Sequence, residues 1–266
     1  MPYRFIASDL DGTLLDQHHA VNALTAATLQ TLQSRGVQFA LATGRHHLDV
    51  SGIREALGVR AHLITSNGAR IHDPDGALIH RQDIPSPLAR ALAQPEYAAG
   101  TIANFYLDDE WLISEPCQDL LDMHKDSGMA YRVCDLAGHD GVGVGKVLYI
   151  GEHQHLLTLE RRLLERFGDS LYITFSLEHC LEVMAAGVSK GHALALVLDS
   201  LGIPADACLA FGDGQNDLEL LRAAGHPRLM GNAHPRLSGE MPDAHRIGSN
   251  AESGVARHLR ELFQLG

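Results

Sequence analysis

Short apolar runs that stop at a polar residue and a glycine recur along this chain: FIASDLDG (5–12), FALATG (39–44), HLITSNG (62–68) and CLAFGDG (208–214). Stretches with apolar residues at helical spacing lie between them. These are VNALTAATLQTLQSRG (21–36), HHLDVSGIREALG (46–58), SKGHALALVLDSLG (189–202) and NDLELLRAAG (216–225). Strands that are apolar on both faces and alternate with helices predict βαβ units and a parallel sheet covered by helices. The carboxyl ends of such strands share one edge, and ligands bind there at the switch in strand order. Asp9, Thr43, Ser66, Asn67 and Asp213 each end an apolar run and are therefore expected to meet.

The middle of the chain breaks this rhythm. ARIHDPDGALIHRQ (69–82) reads as a hairpin with DPDG as its turn. Beyond it come the strand-like pieces TIANFYL, EWLIS, YRVC, KVLYIG, LYITFS and CLEVMA. They are interrupted by the helix-like LARALAQ, CQDLLDMHKDSG and HLLTLERRLLERFG. The expected fold class is α/β: a Rossmann-like parallel-sheet core from residues 1–82 and 188–266, with an α+β domain, 83–187, inserted into it. The core resumes after Gly187, with HPRLMGNA (226–233) as a strand and turn and SGVARHLRELF (253–263) as the closing helix. The glycine-rich GHDGVGVGK (138–146) reads as a mobile loop. It fails the phosphate-loop pattern, since Asp140 replaces the first glycine and Val147 the Ser/Thr that would hold magnesium.

Net charge is -12, from 21 basic and 33 acidic residues. That balance argues against nucleic acid or an anionic membrane as partner, but a locally positive site for a small anion remains open. No apolar run reaches the roughly 18 residues a membrane span needs. No basic segment leads into an apolar signal region. The four cysteines, Cys117, Cys134, Cys180 and Cys208, show no C-x-x-C spacing. A reducing, cytoplasmic location is expected, with the protein a monomer or small homo-oligomer.

The charges on the expected edge carry the chemistry. Asp9, Asp11, Asp213 and Asp217 would repel one another there. A hard cation with oxygen ligands resolves this, and Mg²⁺ suits a site of few carboxylates shared with a phosphate. Lys190, at a helix start after its natural cap Ser189, adds a positive charge. Thr43 offers a hydroxyl, and Gly12, Gly44, Gly68, Gly212 and Gly214 let backbone amides approach an anion. Each piece alone has a plain explanation: D-x-D and SNG are common turns, and SKG is a common helix cap. GDGQND alone resembles a calcium loop, but Ala224 stands where the acidic twelfth ligand belongs. Together, and in order, the pieces point to a phosphoryl group.

The motifs DLDGTLL, ATGR, SNGA, VSKGHAL and FGDGQND resemble those of the haloacid dehalogenase-like phosphatases, over nearly the whole chain. More narrowly they are similar to the Cof-type group with a large α/β (type IIB) cap. ATGRHH, TSNGARIHD, DDEW and the CLEVMA segment are further similar to the bacterial pyridoxal phosphate phosphatases of that group. The resemblance implies that Asp9 is the nucleophile, forming an aspartyl-phosphate. Asp11 would be the general acid and base, beginning protonated because its neighbourhood is acidic. Mg²⁺ would be held by Asp9, the Asp11 main-chain carbonyl and Asp213, with Asp217 outside the inner ligands. Leu10 and Gly44 (through their amides), Thr43, Lys190 and Asn216 would hold the phosphoryl oxygens. Arg45, Ser66, Asn67 and Gly68 would lie on the substrate side, Arg45 able to pair a phosphate bidentately.

The substrate class so implied is a small phosphorylated metabolite, pyridoxal 5'-phosphate or a sugar phosphate. The insert would exclude water and contact the rest of the substrate, hinging near 81–86 and 185–189. His179 and Glu182 are its candidate substrate contacts. The pairs His18-His19 and His46-His47 suggest metal ligands, but adjacent side chains diverge on a helix or strand. Two alternatives use the same residues: transfer of the phosphoryl group to a second alcohol, as in a mutase, and a non-catalytic phospho-ligand sensor.

Overall fold

The computed structural model describes residues 3–123 and 129–266. The chain divides into two compact units: Met1–Ile79 with Ser189–Gly266, and His80–Val188.

The first unit is built on an eight-stranded sheet. Its strands are β1 (Phe5–Ser8), β2 (Gln38–Ala42), β3 (Ala61–Thr65), β4 (Arg70–His72) and β5 (Leu78–Arg81), then β12 (Cys208–Gly212), β13 (His226–Leu229) and β14 (His245–Arg246). β6 to β11 belong to the second unit. The order is β14-β13-β12-β1-β2-β3-β4-β5. From β14 through β3 every pair is parallel, and β4 adds antiparallel to β3. Strand order reverses between β1 and β12, which pair from Phe5↔Cys208 to Ser8↔Phe211. That junction is the switch point at which a crevice forms.

Side chains alternate across the sheet with a period of two, and both sides are apolar. Ile6, Leu41, Leu63, Leu209 and Phe211 face one core. It is closed by Leu29 and Leu32 of α1 (Ala23–Ser34), Val50 and Leu57 of α2 (His47–Leu57), and Val255 and Leu259 of α10 (Gly254–Leu262). Phe5, Ala7, Ala40, Ile64 and Ala210 face the other, under α7 (Lys190–Leu201) and α8 (Leu218–Ala223). Local chemistry sets the helix ends. The Asn22 side chain accepts from the Thr25 amide at 2.8 Å, and that of Ser189 from His192 at 3.0 Å. Two core elements were not expected from sequence: α9 (Pro235–Glu240) and β14. Both are too short for periodicity to reveal.

The second unit carries β6 (Ile102–Tyr106), β7 (Trp111–Ile113), β8 (Arg132–Val133), β9 (Lys146–Ile150), β10 (Leu171–Leu177) and β11 (Cys180–Ala185). They form one sheet in the order β10-β11-β9-β6-β7-β8. Its helices are α3 (Ser86–Leu92), α4 (Pro95–Ala98), α5 (Gln118–Met123) and α6 (His153–Phe167). Residues 124–128 of the CQDLLDMHKDSG stretch lie outside the described residues. α6 buries Leu156, Leu159 and Leu163, and the Tyr149 hydroxyl donates to the Leu92 carbonyl at 2.7 Å. Lys146 donates to Glu182 at 2.6 Å, both side chains buried, and lies 4.4 Å over the Tyr106 ring. Glu182 is thus engaged within its own sheet, whereas His179 is exposed. The glycine-rich run is pinned at its second half: the Gly145 amide donates to Tyr106 and the Val144 carbonyl accepts from Ile84. Among the described residues no helix is long and apolar enough to cross a membrane.

One close approach seats Lys190. A Cβ on Gly191 would lie 2.1 Å from the Glu219 carbonyl, so only glycine lets the first turn of α7 sit against α8. We expect Gly191→Ala to destabilise the protein by about 1–3 kcal/mol through overpacking and to lower activity by displacing Lys190. Gly239→Ala, in a helix with nothing within 4 Å of the new methyl, is expected to be neutral or to stabilise by up to about 1 kcal/mol. Urea unfolding of both variants checks the contrast; equal effects would refute the packing argument.

Candidate active site

The site is assembled from the loops that follow β1, β2, β3 and β12, four neighbouring strands. Asp9 comes first after β1, and its amide donates to the Phe211 carbonyl at 3.0 Å, which fixes it against β12. The chain then coils through Leu10–Leu14, where Asp11 and Gly12 leave helical dihedrals and Gly12 has φ +79°. A Cβ on Gly12 would lie 2.3 Å from a carboxylate oxygen of Asp213. The glycine lets that carboxylate rest on the loop, where the Thr13 hydroxyl donates to it at 2.6 Å.

Lys190 is 1% exposed and donates to Asp9 Oδ1 and Asp217 Oδ1, each at 2.7 Å. The other Asp217 oxygen accepts from the amides of Asp213 and Gly214, both at 2.9 Å. Asn216 donates to the Asn67 side chain at 3.1 Å. Ser66 and Asn67 have positive φ, 48° and 53°. Their amides donate to Arg45 and Thr43 carbonyls, which ties the β2 and β3 loops together. Leu10, Thr43, Ser66, Asn67 and Gly68 are buried, and Gly44 is half-buried.

Arg45 lies beside Asp11. Its guanidinium grips both Asp11 oxygens, at 2.7 and 2.6 Å, and donates to Asp49 at 2.9 Å. His19 Nδ1 closes on Asp11 at 2.7 Å. The guanidinium fork that could pair a phosphate is filled by carboxylates. Burial pushes the Asp11 carboxyl up, but hydrogen bonds from His19 and Arg45 and the Arg45 charge outweigh it, so Asp11 stays below the usual carboxylate range. The reason expected for a protonated Asp11, an acidic neighbourhood, is corrected: its carboxylate is bound by Arg45 and His19.

The remaining acids behave oppositely. Burial and the Asp217 charge raise Asp9 well above its ordinary 3.8, with Lys190 pulling it back. Burial and Asp217 lift Asp213 to about 7. Burial lowers Lys190, but Asp217 and Asp9 more than restore it, so the ammonium stays charged. One buried lysine does not neutralise these acids. Among the described residues, oxygens of Asp9, Asp213 and Asp217 lie within 4.8 Å of one another, the one such cluster of metal-ligating side chains. Hard oxygen donors carrying excess negative charge fit a small divalent cation. Asp217 stands closer to this cluster than expected for a residue outside it, yet its oxygens are already taken by Lys190 and two amides.

Three contributors escaped the sequence reading. Thr13 lies inside the first motif and was legible there as a hydroxyl beside the acids. His19 was noticed only as half of a histidine pair, and Asp49 only as a helix residue. Neither histidine pair forms a metal cluster among the described residues. His46 caps α2 through Nδ1, and His47 stacks on His72 at 4.5 Å.

The sequence model of the family described as haloacid dehalogenase-like hydrolase matches residues 6–259. A Haemophilus influenzae protein bearing a provisional phosphatase name is 42% identical over 268 residues, covering 100% of this chain and 98% of the relative. An HMP-PP phosphatase of Shigella flexneri is 36% identical over 256 residues, 96% of this chain and 94% of that protein. Among solved structures, a haloacid dehalogenase-like hydrolase from B. subtilis is 28% identical with a TM-score of 0.88, covering 97% of this chain and 99% of its own.

The raised carboxyls set a pH dependence. The unfolded chain releases the Asp213 proton near 3.8, the folded chain only near 7. Stability present below the lower value is lost as pH climbs to the upper one, and a cation held by the ionised carboxylates would offset that loss. We expect the melting temperature of chelator-treated protein to fall from about pH 4.5 to about pH 7.5, and Mg²⁺ to raise it more at the higher pH. Differential scanning calorimetry with and without Mg²⁺ tests this, and a Mg²⁺ effect independent of pH would contradict it.

Proposed function

This chain belongs to the haloacid dehalogenase-like hydrolases and is a phosphatase; on that premise we propose that it hydrolyses a small phosphorylated metabolite at Asp9 through an aspartyl-phosphate. The observation that carries this reading is the arrangement of buried Asp9, Lys190 and Asp217 with half-buried Asp213 at the strand switch point. A carboxylate oxygen of Asp9 attacks phosphorus, and the bond from phosphorus to the substrate oxygen breaks. Asp11 gives a proton to that oxygen. Water then attacks phosphorus, Asp11 takes a proton from it, and the bond from phosphorus to the Asp9 oxygen breaks, releasing phosphate and restoring the carboxylate.

Asp9 must be ionised to attack, although its surroundings favour the proton. Lys190 supplies one compensating charge. Mg²⁺, held by Asp9, Asp213 and the Asp11 main-chain carbonyl, would supply the rest and shield the nucleophile from the phosphate. Arg45 and His19 hold Asp11 as a carboxylate, the state that activates water in the second step. In the first step it needs a proton, and an entering phosphate dianion favours that by repulsion. Thr43, Asn216, Lys190 and the amides of Leu10 and Gly44 are proposed to receive the phosphoryl oxygens. Ser66, Asn67 and Gly68 are proposed to line the substrate side, with residues 83–187 as the cap. Substrates to compare are HMP-PP, named for curated relatives, pyridoxal 5'-phosphate and sugar phosphates.

Asp9→Asn is expected to cut turnover on the order of 10⁴-fold or more with an unaltered circular dichroism spectrum. Phosphate release across those substrates, ranked by kcat/KM with Mg²⁺ present and after chelation, identifies the preferred class. Near-normal turnover by Asp9→Asn, or full activity after chelation, would sink the mechanism. Phosphoryl transfer to an added alcohol without phosphate release would convert the reading to a mutase.

A further inference from the structure

The turn after β13 reaches both acidic loops. The Met230 amide donates to the Gly212 carbonyl at 3.1 Å, and the His234 amide to the Asp213 carbonyl at 2.8 Å. Between them, Asn232 Nδ2 donates to the Gly12 carbonyl at 2.8 Å. The Asn232 side-chain oxygen accepts from the Asn250 amide at 3.0 Å, and Asn250 Nδ2 donates to the Leu15 carbonyl at 3.1 Å. Asn250 opens a short turn ahead of α10, which is anchored by buried Val255 and Leu259. Two asparagines thus clasp the loop Asp11–Leu15 at two carbonyls, from positions more than two hundred residues away in sequence.

That loop needs an external hold. Asp11 (φ -76°, ψ 121°) and Gly12 (φ 79°, ψ -4°) sit outside helical geometry within a turn that otherwise coils. A glycine at positive φ has other conformations within reach. A donor on its carbonyl selects one of them. The same short segment carries the Asp11 main-chain carbonyl and the Thr13 hydroxyl that bonds Asp213. Fixing Gly12 and Leu15 therefore fixes the Asp11 carbonyl, which would ligate the cation, and the Thr13 hydroxyl that holds Asp213. Groups behind metal ligands typically govern affinity in this way.

We propose that Asn232 and Asn250 are positioning residues that hold the Asp11–Leu15 backbone in the geometry the divalent-cation site requires. The inference rests on the phosphatase reading above. Asn232 is exposed, so water replaces its hydrogen bonds when it is removed. The effect then falls on loop placement and cation affinity, with little change in overall stability.

The test uses the full chain and Mn²⁺ as probe. Asn232→Ala, Asn250→Ala and the double variant are titrated by electron paramagnetic resonance without substrate. Melting temperatures are measured after chelation, and kcat and KM at saturating Mg²⁺. Each single variant should bind Mn²⁺ about tenfold more weakly, and the double no worse than about the weaker single, since the two act as a unit. Chelated melting temperatures should stay within about 2 °C of the parent, and saturating Mg²⁺ should recover most of kcat. Asn232→Ser, which keeps a short donor, should regain part of the affinity and stands in if an alanine variant fails to fold. Unchanged Mn²⁺ affinity, or weakening matched by a large fall in the chelated melting temperature, overturns the inference. A parent protein that neither binds Mn²⁺ nor hydrolyses an aryl phosphate overturns the phosphatase reading itself.

Discussion

Lys190 lies between the carboxylates of Asp9 and Asp217, 2.7 Å from each and shut away from water. Charges so placed are costly to bury, and attraction repays the cost only when each remaining lone pair finds a partner. The rest of the site is arranged around that demand. Two amides satisfy Asp217, Thr13 satisfies one oxygen of Asp213, and the close packing at Gly191 brings the lysine into line. Among the described residues, Lys190 is the cation paired with the clustered acids, bridging Asp9 and Asp217. On the proposed mechanism electrostatic need and catalytic need coincide there, since a cation that relieves the repulsion would also favour ionised Asp9.

Asp11 is governed separately. It stands two residues from Asp9, yet its carboxylate belongs to a second network with Arg45, His19 and Asp49. Two like acids in one motif are pushed in opposite directions by their neighbours. Such divergence suits the proposed roles of nucleophile and proton carrier, because a shared environment would titrate the two together.

The fold was largely readable because its signals are local. Apolar strands ending in Asp9, Thr43, Ser66 and Asp213 announced a parallel sheet, and the parallel order brings those ends to one edge. Lys190 was visible as a charge at a helix start, and Gly12 as a residue that permits close approach. Side-chain partnerships were not readable. Nothing near Arg45 in sequence says that its fork closes on Asp11 instead of a phosphate, and nothing near Asn232 or Asn250 says that they reach the first loop. Those contacts depend on where distant loops come to rest. The short elements α9 and β14 fall below the length at which a period can be counted.

The pairing of β1 with β12 has a consequence for how the protein is made. Phe5 and Cys208 are partners at the heart of the sheet, yet the whole second unit is synthesised between them. On the ribosome β1 can meet β2 early, but its other edge stays open until β12 emerges. Contacts so far apart in sequence form slowly, and an unpaired apolar strand edge invites association with other chains. The second unit, contiguous from His80 to Val188, has every strand partner in hand before β12 exists. Newly made chains should therefore pass through a stage with a folded insert and a half-built core.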